Sequence, residues 1–153
     1  FASVSNTTAG NETRTHLLSI RPRLTFSNIA VRSKIAVESV DLVVTGNYPV
    51  LWELCAGQSL SNAVWTNANP TYSTVDVDKA GAVSGDPAIV MASGFVAASA
   101  TSKTSVSRAI SSKYPITLAA NGAARDLGTI SLLVQAFGGT SACRGALTWR
   151  ELR

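Results

Sequence analysis

His16 is the one imidazole in this chain, so a Ser-His-Asp or Cys-His relay would have to be built around it. It opens the stretch HLLSIRPRLTF, residues 16–26, whose alternation predicts a strand, and a lone histidine on such a face serves structure more readily than catalysis. Zinc would need His16 with Cys55 and Cys143, at most three ligands, without the close CxxC or HxxxH spacing that pre-organises a metal. Paired carboxylates for glycoside hydrolysis exist as Glu53 with Glu151 or Asp76 with Asp78, but nothing in the sequence gathers either pair around a cleft. Glu53 more readily meets an arginine, because LWEL and TWREL both set a charge beside a strand tryptophan. DVDKAG, Asp76 to Gly81, begins like a calcium loop yet places Lys79 and Ala80 at ligand offsets and no glutamate at the twelfth position. GAARDLG and FGGTSACRG lack the lysine of a phosphate-binding loop. The sequence therefore predicts no catalytic residue, no cofactor and no metal site.

Charge points elsewhere. Arg14, His16, Arg21, Arg23, Arg32 and Lys34 lie in a window with no acid between Thr13 and Val37, inside a chain of formal charge +4. Binders of single-stranded nucleic acid set exposed aromatics beside such charge. Here Phe26 is the only aromatic in the window, and Leu17, Leu18, Ile20, Leu24, Phe26 and Ile29 are expected in the core, which argues against nucleic acid as a partner. Arg14, Arg21, Arg23 and Arg32 are instead expected at a sheet edge or assembly interface, paired with carboxylates of this chain or of a neighbour. A second cluster, Trp65, Asn67, Asn69, Tyr72 and Asp76, falls in one loop-rich stretch and has the residue types of a glycan contact; the alternative is a core tryptophan among turn residues.

The elements that must position these groups read as strands. Only 14% of the 153 residues are charged against 46% hydrophobic, with Ser, Thr, Gly and Asn filling the gaps, the composition of a turn-rich β domain. No apolar run is long enough for a membrane span, and Phe1-Ala-Ser-Val is not a charged signal-peptide start; a chain beginning without Met is expected to be processed or part of a longer protein. Residues 1–13 are small, polar and aperiodic, and predict a flexible arm or linker ahead of one β domain over 14–153. In RTHLLSIR, Leu18 and Ile20 share a face with His16, and Pro22 must end or bend the strand. In SKIAVESVDLVVT the apolar parity changes near Ser39, which predicts a bulge. Gly46-Asn47 is expected to fold this strand back onto YPVLWELC as a hairpin, and Gly138-Gly139-Thr140 to do the same for GTISLLVQAFGG and GALTWRELR. AIVMASGFVA predicts a strand buried on both faces, Asn121-Gly122 marks a turn after PITLAA, and Cys55 and Cys143 read as small buried hydrophobes. The expected fold is all-β, an antiparallel two-sheet sandwich or jelly roll of roughly eight to ten strands, with a closed barrel as runner-up.

TRTHLLSIRPRLTFSNIAVRSKIAVESVDLVV, then VLWELCAGQSLSNAVWTNANPTYSTVDVD, and finally GALTWRELR resemble a domain of structural proteins in tailed bacteriophages. The resemblance spans most of residues 13–153 and rests on strand and turn motifs. The sequence departs from it at Ala30-Val31-Arg32 and at the two cysteines. It implies a non-enzymatic virion protein, a head decoration or head fibre or a tail or baseplate fibre domain. Its implied partners are other capsid, tail or fibre subunits in a homo-oligomer, most often a trimer, and on a fibre a host glycan.

Overall fold

The computed structural model describes residues 1–87, 89–110, 115–119, 122–124 and 127–152. Tyr114 and Asn121 of the expected PITLAA strand and its turn lie outside them, as does Ala88. The strands are β1 (Ala2–Ala9), β2 (Thr15–Pro22), β3 (Thr25–Phe26), β4 (Ile29–Ala30), β5 (Lys34–Val44), β6 (Val50–Ala56), β7 (Leu60–Ser61), β8 (Thr66–Asn67), β9 (Val75–Asp78), β10 (Ala82–Val83), β11 (Ile89–Val96), β12 (Ser105–Ala109), β13 (Ile130–Ala136) and β14 (Ser141–Leu152). Among the described residues, nine of these have four or more residues, within the number expected. They form an all-β antiparallel sandwich: a four-stranded sheet β1-β14-β5-β12 packs on a six-stranded sheet β11-β6-β13-β2-β9-β8, and β10-β7 and β3-β4 form two further short pairs. Among the described residues no helix is long and apolar enough to cross a membrane.

The core lies between the sheets. Ile35, Val37, Val40, Leu42, Val44, Leu147 and Trp149 of the smaller sheet face Leu18, Ile20, Trp52, Leu54, Ile130, Leu132 and Val134 of the larger. Burial of such side chains stabilises by roughly 1.5–3 kcal/mol each, and it is the term that fixes which face of every strand points inward. The parity change near Ser39 is a bulge: Thr148 pairs with Ser39 but Trp149 with Val37, so Glu38 is the extra residue and both apolar sets stay inside.

Both expected hairpins prove to be arches between the sheets. β5 pairs with β14 and β12 while β6 pairs with β13 and β11, and β13 and β14 are likewise in different sheets. The reason is that β5 and β6, like β13 and β14, each need their apolar face opposed rather than flanked by the other, which one hairpin cannot provide. The two arches stack. Ser141 Oγ donates to Tyr48 O at 2.9 Å, the Phe137 amide to Pro49 O at 3.2 Å, and Gly138 and Gly139 lie against the Tyr48 ring, where a side chain on Gly139 would collide.

Three further expectations are corrected. Residues 2–9 are not an arm without structure of its own: they pair along their length with β14, from Ala2 opposite Thr148 to Ala9 opposite Ser141. The signal was alternation in exposure rather than in hydrophobicity, since Ser3, Ser5, Thr7 and Ala9 turn inward and Ala2, Val4, Asn6 and Thr8 outward, and an edge strand held by backbone bonds needs little else. In β2, Leu17 is an extra residue between Leu18, opposite Leu132, and His16, opposite Leu133. The bulge moves Leu17 into the core and puts His16 on the face of Ser19, not of Leu18 and Ile20. β11 is not a central strand buried on both faces but the outer strand of its sheet, with Phe95 70% exposed.

Candidate functional site

The outer face of the six-stranded sheet carries nearly all the chemistry anticipated above. Pairing sets Ser131 beside Cys55 and Ser19, and Ser19 beside Asp78, while one step along the sheet Arg21 lies opposite Asp76. The segments flanking β8 and β9, residues 57–64 and 79–87 with β7 and β10, close over the first of these rows, so a polar set that would otherwise meet water is buried.

Inside that cover His16 Nε2 lies 2.8 Å from Ser19 Oγ, which lies 2.6 Å from Ser131 Oγ, and Asp78 Oδ2 is 3.7 Å from the same His16 nitrogen. A hydrolytic relay needs the carboxylate on one imidazole nitrogen and the hydroxyl on the other. Here both address Nε2, and Nδ1 is buried without a hydrogen-bond partner among the described residues. The His16 and Asp78 side chains are only 1% and 0% exposed, so the cluster holds structure together instead of meeting a substrate. Asp78 does this by accepting from the amides of Val64 at 2.8 Å, Ala80 at 3.1 Å and Gly81 at 3.0 Å, which pins the covering segment to β9. Ser19, Ser131 and Asp78 were missed as a cluster. The legible signal was a serine set among aliphatics in both LLSIR and TISLLV, where a hydroxyl must find a partner if buried.

Arg14 closes one end of this face. Its Nε donates to Glu53 at 2.7 Å and its Nη1 to Asp86 at 2.8 Å, the arginine partner expected for Glu53; the hydrogen bond to Glu53 foremost holds the guanidinium above its ordinary value. Cys55 and Cys143 are buried free thiols in different sheets, and burial pushes them up to about 12 and about 11. Neither is a nucleophile at neutral pH. Glu151, on the last strand, accepts from Ser73 Oγ at 2.5 Å, from the Thr74 amide and hydroxyl at 2.7 Å each, and from Trp149 Nε1 at 3.1 Å. It ties β14 to the turn before β9, so it is neither beside Glu53 nor paired with it.

The exposed part of the face is where the expected residues converge. The Arg21 guanidinium carbon lies 4.2 Å from the centre of the Trp65 ring, and its Nη2 is 3.6 Å from Asp76 Oδ2. Arg23 reaches the other Asp76 oxygen at 3.9 Å and lies 5.3 Å over Phe26, so period 2 carries both arginines flanking Pro22 to one side. Asn67 is opposite Asp76 in the β8-β9 pair. Arg21, Arg23, Trp65, Asn67 and Asp76 thus form one rim. No protein-family model matches the chain, and neither does any curated protein or solved structure.

The other anticipated residues are spent differently. The Asn69 carboxamide accepts from the amides of Thr71 and Tyr72 at 2.9 and 3.0 Å, which closes its own turn and leaves Tyr72 exposed beside it. Arg14 belongs to the Glu53 end, and Arg32 lines a separate apolar hollow with Phe26, Ile29 and Val31. Trp65 is half-buried against Arg21 and is absent from the core cluster.

These buried groups set a pH dependence. Burial holds His16 below its ordinary value, opposed in part by the charge of Asp78. The stability this neutral ring contributes is complete above the ordinary value of 6.5 and is lost as pH falls below it, because the unfolded chain takes up the proton first. Burial alone would raise Glu151, but its donors from Ser73, Thr74 and Trp149 outweigh that and hold it below 4.5, so its contribution is lost at more acid pH. Thermal melts are expected to fall in two stages between pH 7.5 and 3, and His16→Gln to remove the upper stage alone. An unchanged slope below pH 6.5 in that variant would contradict the assignment.

Proposed function

We propose that this chain is a non-enzymatic structural subunit of a virion, of the kind its motifs resemble in tailed bacteriophages. It docks through its N-terminal strand and sheet edges onto other capsid, tail or fibre subunits, including copies of itself. The observation that carries this reading is β1, an edge strand of the four-stranded sheet that turns Ala2, Val4, Asn6 and Thr8 outward, with Val4 60% exposed, and whose outer backbone side pairs with no strand among the described residues. Strand addition at such an edge gives affinity through main-chain hydrogen bonds without a reactive group. The Arg21–Trp65–Asp76 rim supports it, because a guanidinium stacked on tryptophan beside a carboxylate is the composition of an interface anchor.

A glycan-binding reading is favoured by one feature, the half-buried Trp65 next to Asn67 and Asp76. The two separate in one experiment. Arg21→Ala removes the stacking and the Asp76 contact, together worth about 1–2 kcal/mol, and is expected to reduce incorporation into reconstituted particles by roughly tenfold with unchanged retention on DNA. Equal incorporation with a large loss on DNA would overturn it. Trp65→Ala that folds, incorporates normally and loses all signal on a glycan array would move the function to sugar recognition.

A further inference from the structure

The outer faces of the two sheets differ in kind. That of the six-stranded sheet is crossed by its covering segments, whereas the middle of the four-stranded one is flat and built from short side chains. There Ala146 lies between Val4 and Asp41, and one step along the strands Arg144 lies between Asn6 and Val43. The alternate residues Leu42, Val44, Cys143 and Leu147 are buried in the core, so Asp41, Val43, Arg144 and Ala146 point outward, with Val43 44% exposed. Apart from Arg144, no side chain of these two rows is larger than valine, which lets another flat surface approach closely. Asp41 and Arg144 are diagonal neighbours of opposite charge, yet among the described residues neither side chain has an ion pair or a hydrogen bond. Arg14, Arg21, Arg23 and Arg150, by contrast, each lie within 4 Å of a carboxylate.

We propose that this face packs on the same face of a second copy, about a two-fold axis that passes between Arg144 and Asp41. One such axis brings Arg144 of each copy over Asp41 of the other and so closes two ion pairs at once. On the grid of the sheet the same axis runs past Val4, Ala146 and Val43, so that each meets its own counterpart and an apolar spine separates the two pairs. A second copy is the occupant on grounds of charge. A single cation beside a single anion gives a strongly acidic or basic partner as much repulsion as attraction, whereas the face is complementary to itself. Its area is sufficient: four strands about 4.8 Å apart and about 27 Å long offer roughly 500 Å² on each copy, about 1,000 Å² in total, the size at which a specific interface begins.

The pairing extends the assembly role proposed above and is tested apart from it, on the chain alone. Light scattering over a concentration series is expected to show a dimer that Arg144→Asp weakens by about 100-fold, because carboxylates then face each other at both ends. Asp41→Arg should weaken it as much by opposing guanidinium groups. Mixing the two variants is the decisive arm: one then brings only negative groups to the face and the other only positive ones, and a heterodimer is expected to recover most of the lost affinity. Phe95→Ser, on β11 of the other sheet, should leave the dimer intact. A monomer at every concentration, a dimer indifferent to both reversals or broken by Phe95→Ser instead, or a mixture no tighter than either variant alone overturns the pairing. Should Asp41→Arg fail to fold, Arg144→Asp and Val43→Lys, which sets two ammonium groups together at the axis, decide alone, and a dimer indifferent to either one overturns it. A monomeric chain that still enters particles sinks this pairing and leaves the structural role standing, whereas a dimer that never enters particles does the reverse.

Discussion

Asp78→Ala is expected to destabilise the domain by about 3–5 kcal/mol, the range for removing one member of a buried charged, hydrogen-bonded set. The carboxylate is wholly buried, and three amides, those of Val64, Ala80 and Gly81, lose their acceptor at once. The three donors are only part-buried, so each contributes at most the cost of an unsatisfied buried donor, about 1–3 kcal/mol, and the larger part of the loss comes from emptying the buried Asp78 site. Gly81 has no room for a side chain, since a Cβ would lie 2.5 Å from Asp78 Oδ2, so the chain is wrapped onto the carboxylate rather than placed near it. Urea unfolding should show a lower midpoint, and limited proteolysis should cut within 57–64 or 79–87 before elsewhere. Asp78→Asn, which keeps an acceptor oxygen, should lose about half as much. A loss below about 1 kcal/mol for the alanine variant would mean that the cover does not depend on this residue.

Trp149→Ala should be comparably damaging, about 3–5 kcal/mol for an emptied aromatic site. Trp149 is 1% exposed in the core, its ring stacks on that of Phe1 at 6.5 Å, its amide donates to Phe1 O, and its indole N–H is one of the donors to Glu151. One substitution therefore loosens the packing between the sheets, the end of β1 and the grip of Glu151 on Ser73 and Thr74. Hydrogen exchange should report this as faster exchange in β1 and near residue 74, in addition to the lowered melting temperature. Trp149→Phe should recover most of the stability but not the protection near Thr74. If β1 exchange were unchanged in the alanine variant, the strand would be held by its backbone ladder alone.

Side-chain alternation carried the strands, the bulge near Ser39 and the all-β architecture, because each follows from which residues must leave water. It could not carry partner choice. Val50, Trp52 and Leu54 show that β6 buries one face, but whether β5 flanks or opposes that face depends on how the arches at Tyr48 and Gly138 stack, which involves residues some ninety positions apart. β11 reads as buried because its residues are apolar, although an apolar strand at an edge has the same sequence signature until its neighbours are known. At the rim, Arg21 and Arg23 were legible through period 2 about Pro22, and Asp76 through its alternation with Val75 and Val77. Trp65 over Arg21 was not, since nothing local says that β8 will lie beside β9. Glu151 was visible only as a charge next to a tryptophan, because its real partners, Ser73 and Thr74, come together with it through the fold.

The middle of the four-stranded sheet has a consequence for synthesis. A ribosome delivers β1 and β5 early, yet the strand that separates and joins them, β14, is among the last of these 153 residues to emerge, and it also brings Glu151 to the β9 turn. Until then both earlier strands present open backbone edges, and the loop to be closed spans nearly the whole domain, the topology that folds slowly and exposes nascent chains to mispairing. The smaller layer cannot be completed from its N-terminal strands alone, because β1 and β5 meet only through β14.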